Sequence, residues 1–231
     1  MSDASVDGES VVDFAVVGTD TGVGKTVVTA GLVGWLRAAG VDARAVKPAQ
    51  TGYPPDDDAG FVADACGTGD AATCLERLEP PLAPAVAADR EGVDLSYDDI
   101  LAGCKRELAD AAVGVVEGIG GLRVPLTDDT EVVDLVADLD VPALVVARSG
   151  LGTLNHSALT VEALERRGCR VHGVLLNQYE GASTAERTNP ETLAAMTDLP
   201  VWTLPTLSLA EPVEAVDGVR EKLPARVFPG D

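Results

Sequence analysis

A glycine-rich segment near the start of the chain, Gly18-Thr-Asp-Thr-Gly-Val-Gly-Lys-Thr26, has the residue types of a phosphate-binding loop. Glycines let the backbone approach a ligand closely, and successive backbone N–H groups in such a loop bind an anion. Lys25 can reach the terminal phosphates of a nucleotide, and the Thr26 hydroxyl can bind Mg²⁺. Five residues separate Gly18 from Gly24, so the spacing departs from the strict motif G-x-x-x-x-G-K-[ST]. An apolar run before the loop and a helical pattern after it predict a nucleotide phosphate site.

Two further segments place polar side chains directly after apolar runs. Lys47 and Thr51 lie in Ala45-Val-Lys-Pro-Ala-Gln-Thr-Gly52, and Glu117 opens Glu-Gly-Ile-Gly-Gly121. At the end of a strand beside a phosphate loop, an acid such as Glu117 positions Mg²⁺ directly or through water. A solvated structural lysine and a helix-capping glutamate are the alternatives for Lys47 and Glu117.

Short apolar runs alternate with longer amphipathic stretches, which is typical of strands alternating with helices. The predicted strands are Val12–Val17, Ala43–Val46, Val113–Val116, Ala143–Val146, Val171–Leu176 and Val201–Leu204. The predicted helices are Lys25–Ala39, Ser96–Ala111, Thr130–Leu139, Leu154–Arg167 and Ala185–Met196. This order predicts an α/β fold in which a doubly wound, mostly parallel sheet is flanked by helices, with ligands at the carboxyl ends of the strands. We expect one domain over residues 11–231, a flexible acidic N-terminus over residues 1–10, and loops over the proline-containing stretch Gly52–Ala88. A disordered acidic insertion is the alternative for Gly52–Ala88.

The charge balance excludes some classes of partner. The 231 residues include 17 lysines and arginines against 38 aspartates and glutamates, a net charge of −21. Such an excess repels phosphate backbones and anionic headgroups, so we expect no nucleic-acid partner and no membrane binding. Few lysines and many small apolar residues resemble the proteins of extreme halophiles, in which concentrated salt screens the carboxylates. An acidic protein of a mesophile is the alternative.

The cysteines and histidines give no sign of a metal or redox site. The four cysteines form no C-x-x-C pair, so we expect reduced, buried thiols. His156 and His172 are interpreted as structural, since no partner is visible for either. The first ten residues lack the positive charge and apolar core of a signal peptide, and no apolar run is long enough to span a membrane. A cytoplasmic location is the expectation.

The motifs together resemble those of the dethiobiotin synthetase family, within the P-loop ligases. They are Gly18–Thr26, Lys47–Gly52, Val116–Gly121 and Gly150-Leu-Gly-Thr-Leu-Asn-His-Ser157, which occur in that order in a match that runs from about Val12 to Pro212. The resemblance implies that 7,8-diaminononanoate, CO₂ and ATP give dethiobiotin, ADP and phosphate through a carbamate and a carbamic-phosphoric anhydride. It also implies Mg²⁺ as cofactor and a homodimer.

The resemblance assigns roles to individual residues. Lys25 would bind phosphate and Lys47 would bridge the carbamate and the γ-phosphate, so both are candidate catalytic residues. Thr26, Asp58 and Glu117 would hold Mg²⁺; of the run Asp56-Asp-Asp58, Asp58 matches the family's Asp-Ala pair because Ala59 follows it. The residues expected in the ATP site are Gly22, Val23, Gly24, Lys25, Thr26, Val27, Asp58, Glu117, Gly118, Ile119, Gly120, Asn177, Gln178, Leu204, Pro205, Thr206 and Glu211.

Asn177 corresponds to the family's adenine-reading asparagine, with a turn-forming asparagine as the alternative. The substrate would contact Thr51, Gly152, Thr153 and Asn155, the last three across the dimer interface. Gly22, where relatives often carry glutamate, and Leu122, where they often carry an aromatic residue, depart from the family pattern.

Two other functions compete with this interpretation. A glutamine-dependent amide synthetase of the cobyrinate type needs a further domain with a Cys–His pair, for which 231 residues leave no room. A partition-type switch ATPase carries an additional lysine five residues before the loop lysine, and Asp20 stands at that position.

Overall fold

The computed structural model describes residues 4–230, which form strands and helices in alternation. The strands are β1 (Ser5–Val6), β2 (Glu9–Ser10), β3 (Phe14–Gly18), β4 (Ala43–Thr51), β5 (Ala72–Leu78), β6 (Val113–Glu117), β7 (Ala143–Arg148), β8 (Val171–Asn177) and β9 (Val201–Thr203). The α-helices are α1 (Lys25–Ala38), α2 (Asp58–Cys66), α3 (Pro84–Glu91), α4 (Tyr97–Ala109), α5 (Val132–Leu139), α6 (Thr153–Arg166), α7 (Thr184–Thr197) and α8 (Glu214–Lys222).

Seven strands form one sheet in the order β5-β4-β6-β3-β7-β8-β9, and every pair in it is parallel. The chain order reverses about β3, so the phosphate loop that follows β3 lies at the switch point of the sheet, where α/β proteins bind ligands. The predicted fold class and the single domain are confirmed.

The core has two layers because both faces of the sheet are covered. On one face α1, α2 and α8 pack through residues such as Leu32, Trp35 and Val219. On the other, α4, α5, α6 and α7 pack through residues such as Leu135 and Leu164. The central strands β3 and β6 are buried at every position, as expected for strands with helices on both faces.

The interpretation of Gly52–Ala88 as loops is wrong, because this stretch contains α2, β5 and the first part of α3. Asp57 caps α2 by accepting a hydrogen bond from the Gly60 N–H at 3.0 Å, and Gly67 ends the helix with a φ of 69°. Ala59, Val62 and Ala65 form its buried face. In the sequence, the aspartates and prolines around these small apolar residues obscure their helical spacing.

The chain termini also differ from the expectation. Residues 1–3 lie outside the described part of the chain, but β1 and β2 pair as an antiparallel hairpin, and Val6 is buried in the core. Part of the segment from residue 5 to residue 10 is therefore β-structure instead of a flexible tail. Helix α8, which no sequence pattern predicted, covers α1.

The remaining structural expectations concern cysteines, histidines and membrane spans. All four cysteines are free; Cys74 and Cys104 are buried, whereas Cys66 and Cys169 are only half-buried, contrary to the expectation of buried thiols. His172 stacks on Trp202 with ring centroids 5.4 Å apart, and the His156 side chain is exposed on α6. Among residues 4–230, no helix has the length and apolar character that a bilayer span requires.

Candidate active site

The phosphate loop joins the end of β3 to the start of α1, so its N–H groups and the positive end of the helix dipole face the same space. Gly24 has a φ of 96°, and a Cβ at this position would lie 2.1 Å from Asn177 Nδ2. Only glycine fits there. The Lys25 ammonium folds back and donates to the carbonyl oxygens of Asp20 at 3.0 Å and Gly120 at 2.8 Å. In this position its charge faces the concave side of the loop.

Lys47 is held between two carboxylates at the carboxyl edge of the sheet. Its Nζ lies 2.5 Å from Asp58 Oδ2 and 2.9 Å from Glu117 Oε1. The Thr26 hydroxyl donates to the same Glu117 oxygen at 2.9 Å. Lys47 is 5% exposed and Glu117 is 2% exposed. The structure thus brings together the four residues that the sequence pointed to from four separate segments.

Burial and neighbouring charges set the pKa of each group. Burial, together with the ammonium of Lys47, lowers the pKa of Lys25 to about 8. Burial opposes the charge on Lys47, but Glu117 and Asp58 outweigh it and raise the Lys47 pKa above its ordinary value. Burial also favours a neutral Asp58, yet the Lys47 ammonium outweighs it and holds the Asp58 pKa below its usual range. For Glu117, burial dominates and raises the pKa.

The oxygen atoms at this place fit a small divalent cation. Asp58, Glu117 and Thr26 offer carboxylate and hydroxyl oxygens, the hard donors that Mg²⁺ prefers. The described residues contain no group of three or more His, Cys, Asp or Glu side chains arranged around a metal. Magnesium in nucleotide sites is commonly held by one or two carboxylates together with phosphate oxygens and water, so Asp58, Glu117 and Thr26 would suffice to hold it. Of the consecutive aspartates, Asp58 contacts Lys47 whereas Asp57 caps α2.

A cavity of about 990 Å³ opens beside the phosphate loop. Its lining includes Lys25, Lys47, Thr51, Asp58 and Gly120. This is enough volume for the terminal phosphates of a nucleotide and a small organic substrate together.

Gln50, which sequence reasoning left without a role, also lines this cavity. Its Oε1 accepts from the Asp58 N–H at 3.2 Å, and its Nε2 donates to the Thr51 carbonyl at 2.8 Å. It therefore positions both neighbours. In the sequence, the only sign of this role is an amide side chain three positions after Lys47.

The residues expected around the nucleotide base lie at the ends of β8 and β9. Asn177 is buried, and its Nδ2 donates to the Val23 carbonyl at 2.9 Å, so one donor hydrogen of the amide braces the phosphate loop. Leu204 is tied to this segment by a bond from the Tyr179 N–H to its carbonyl at 2.9 Å. Of the residues expected on this side, Leu204 is buried and Pro205 is half-buried. Gln178, Thr206 and Glu211 are exposed.

Gly152 precedes α6, and Thr153 and Asn155 lie in its first turn, but none of the three is among the described residues that line this cavity. Thr153 is buried, and its hydroxyl lies 3.3 Å from that of Ser157. Leu151, immediately before them, is 96% exposed. The placement of these residues in the substrate site stays a prediction.

Arg148, at the end of β7, is a second residue that the sequence patterns did not indicate. Its Nη2 donates to the Thr21 carbonyl at 3.3 Å and would lie 3.5 Å from a Cβ at position 22. Gly22 therefore lies beside a guanidinium.

A glycine loop between a buried strand and a helix, at the switch point of a parallel sheet, defines a nucleotide-binding protein of the P-loop class. Residues 13–212 match the family described as an AAA domain. The fold is similar to that of the septum site-determining protein MinD of Pyrococcus horikoshii OT3, solved in complex with Mg-ADP, with a TM-score of 0.55, 17% identity, and coverage of 93% of this chain and 87% of that one.

Relatives at higher identity identify the family. The chain is 67% identical to the ATP-dependent dethiobiotin synthetase BioD of Haloferax mediterranei over 92% of this chain and 91% of the relative. It is 50% identical to the protein of that name in Anaeromyxobacter sp. strain K over 71% and 75%, and 36% identical to that of Bacillus velezensis over 81% and 83%. The chain belongs to the ATP-dependent dethiobiotin synthetase family, as its motifs predicted. The haloarchaeal relative agrees with the halophilic character of the composition.

Proposed function

We propose that this protein uses ATP to close the ureido ring of dethiobiotin from 7,8-diaminononanoate and CO₂. The observation that carries the proposal is the Lys47 ammonium, buried between Asp58 and Glu117 in the same cavity as Lys25. Two cations in one phosphate-binding cavity suit a reaction that brings an anionic carbamate against a triphosphate.

The reaction has three bond-forming steps. One amine of the substrate attacks CO₂, and loss of its proton leaves a carbamate. A carbamate oxygen attacks the γ-phosphorus, the bond to the bridging oxygen breaks, and ADP leaves. The second amine attacks the carbonyl carbon of the resulting carbamic-phosphoric anhydride, and phosphate leaves with the electron pair of the C–O bond. The second nitrogen loses a proton as the ring closes.

The lysines have separate roles in this sequence. Lys25 lies against the loop and neutralises the phosphates of the bound nucleotide. Lys47 reaches from β4 and neutralises the carbamate and the γ-phosphoryl oxygens as they approach. Its charge matters most where the two anions converge. Thr26, Asp58 and Glu117 would hold Mg²⁺, which would supply further neutralisation of the phosphate charge.

The remaining parts of the proposal concern the substrate tail and the cell compartment. The N–H groups at the start of α6 suit a carboxylate, and the exposed Leu151 beside them suits contact with a second copy of the chain. We place the tail of the diamine in this segment of the partner subunit, which makes the enzyme a homodimer.

We also propose a cytoplasmic location. The cytoplasm supplies ATP and keeps thiols reduced, so the use of ATP and the free cysteines agree with it.

The test is the substrate dependence of ADP release. Purified protein with Mg-ATP in concentrated KCl should release ADP rapidly only when diaminononanoate and bicarbonate are both present. Mass spectrometry should then detect the ureido product. Lys47→Ala should lower kcat on the order of 10²–10³-fold while ADP affinity changes little. Lys105→Ala, which removes an exposed lysine on α4, is the matched control and should retain activity.

The competing functions give different results in this assay. A switch ATPase would hydrolyse ATP without the diamine, and an amide synthetase would require glutamine or ammonia. ADP release that ignores the diamine, with no ureido product, contradicts the proposal.

A further inference from the structure

Outside the cavity, a buried carboxylate on α7 gathers donors from two different loops. Glu186 is 8% exposed. Its Oε1 accepts from the Ser149 hydroxyl at 2.6 Å and from the Glu180 N–H at 3.2 Å, and its Oε2 accepts from the Ala182 N–H at 2.8 Å. These bonds, that from Ser149 above all, hold the pKa of Glu186 below its usual range. The carboxylate is therefore satisfied by neutral donors of the two loops.

One helical turn further along, Asn189 contacts the first of these loops again. Its Nδ2 donates to the carbonyl oxygens of Ser149 at 2.9 Å and Gly150 at 3.3 Å, and the residue is 5% exposed. The Ser149 N–H also donates to the Asn177 carbonyl at 3.1 Å. Two buried side chains of α7 thus hold the backbone that leads into the start of α6.

The two loops serve different ligands in the proposed function. Ser149 and Gly150 lead directly into Gly152 and Thr153, where the substrate tail would bind. Residues 178–182 follow Asn177 and contact the segment after β9, on the base side of the nucleotide. No residue of α7 lines the cavity among those that the structure describes. Helix α7 thus contacts both loops without lining the cavity.

We propose that Glu186 is a positioning residue that fixes the nucleotide-base loop, residues 178–182, and the substrate-tail loop, residues 149–152, in one relative geometry. A carboxylate suits this task because it accepts hydrogen bonds only, and all three groups that face it are donors. The inference rests on the proposed function for the identity of the ligand that the tail loop binds.

Glu186→Gln tests this role with little change in volume. The amide keeps one acceptor oxygen and turns an NH₂ group toward at least one donor, so the three bonds cannot all persist. Binding to both loops should weaken, whereas Lys25, Lys47 and Glu117 stand on other elements and remain in place. We expect the KM for ATP and the KM for the diamine each to rise roughly tenfold, with kcat within about threefold of wild type. Glu191→Gln, an exposed glutamate on the same helix, is the matched control and should change neither.

Hydrogen exchange separates this role from the chemistry. In Glu186→Gln without ligand, the amides of residues 149–153 and 178–182 should exchange faster than in wild type, and those of the phosphate loop should not. ADP affinity, measured by titration without the diamine, should fall roughly tenfold. Both readouts hold even if the enzyme uses a substrate other than the diamine, so failure of the proposed function and failure of this inference are distinguishable.

Faster exchange in one loop only, an unchanged ADP affinity, or a fall in kcat with unchanged KM values would overturn the inference. Ser149→Ala removes one bond to the carboxylate, together with the 3.0 Å contact of the same hydroxyl with the Gln178 carbonyl, and decides the matter if Glu186→Gln does not fold. It should shift the same quantities in the same direction by a smaller factor, and it overturns the inference if it shifts none.

Discussion

The charge on Lys25 is set by its burial and by Lys47 nearby. Both lower its pKa to about 8, so the ammonium that binds phosphate is present below that pH and is lost above it. We expect the affinity of the free protein for ADP to fall as the pH rises through about 8. Titration with ADP at a series of pH values measures this.

Lys25→Arg is the informative variant, because a guanidinium stays charged across this range. Its ADP affinity, even if weaker, should not fall near pH 8. A wild-type affinity that is constant through this range contradicts the assignment of the phosphate charge to Lys25.

Sequence patterns could indicate Lys25, Lys47 and Glu117 because each stands where an apolar run meets glycines or a polar strand end. They could not indicate Gln50 or Arg148 as readily. Gln50 acts through hydrogen bonds to Asp58 and Thr51, whose closeness depends on how β4 and α2 pack. Hydrogen bonds of this kind depend on tertiary packing and produce no periodic pattern in the sequence.

At the scale of elements, the predicted strands and helices are present with their ends shifted by a few residues. The carboxyl end of β4 shows one physical cause of such a shift. The apolar pattern ends at Val46, but the strand continues to Thr51. Strand β4 pairs with β6 only as far as Val46. Its pairing with β5 skips Pro48 and continues to Thr51. The extension carries polar residues because it faces the cavity rather than a hydrophobic layer, which the periodicity of a buried strand does not anticipate.

The contact between α1 and α8 depends on two glycines of α1. A Cβ at Gly34 would lie 2.3 Å from Val216 Cγ2, and one at Gly31 would lie 2.3 Å from Val219 Cγ2. Gly34→Ala gains about 1 kcal/mol of helix propensity but overpacks this contact by about 1–3 kcal/mol. We expect a net loss of stability and a lower Tm by calorimetry.

The companion substitution Val216→Ala makes room for the added methyl group. The double variant should therefore be more stable than Gly34→Ala alone, although Val216→Ala by itself should be slightly destabilising. Additive effects of the two substitutions would show that the helices do not meet at this point.

At the scale of the whole molecule, the net charge of −21 makes stability depend on salt. In about 0.01 M salt the carboxylates repel one another over a Debye length of about 30 Å, which shrinks to about 3 Å in molar salt. We expect the Tm to rise steadily with KCl concentration. A Tm that is independent of KCl would remove the halophilic interpretation.

The proposed dimer predicts complementation between inactive subunits. Lys47→Ala damages the phosphate side of a site, and Asn155→Ala damages the segment that the partner would supply. In a mixed dimer one site carries both lesions and the other carries neither. Random mixing should therefore restore about a quarter of the wild-type activity. Absence of rescue, with subunit exchange verified by mass spectrometry, would indicate that each site is complete within one subunit.

The hydrogen bond from Asn177 to Val23 joins residues 154 positions apart in the chain, and that from Thr26 to Glu117 joins residues 91 apart. The central strand β3 pairs with β6 and β7 rather than with its neighbour in sequence, β4. During synthesis the phosphate loop emerges early, but its braces emerge only when most of the chain has been translated. Contacts of such long range form late in folding. The nucleotide site can therefore be complete only after β8, which carries Asn177, has joined the sheet.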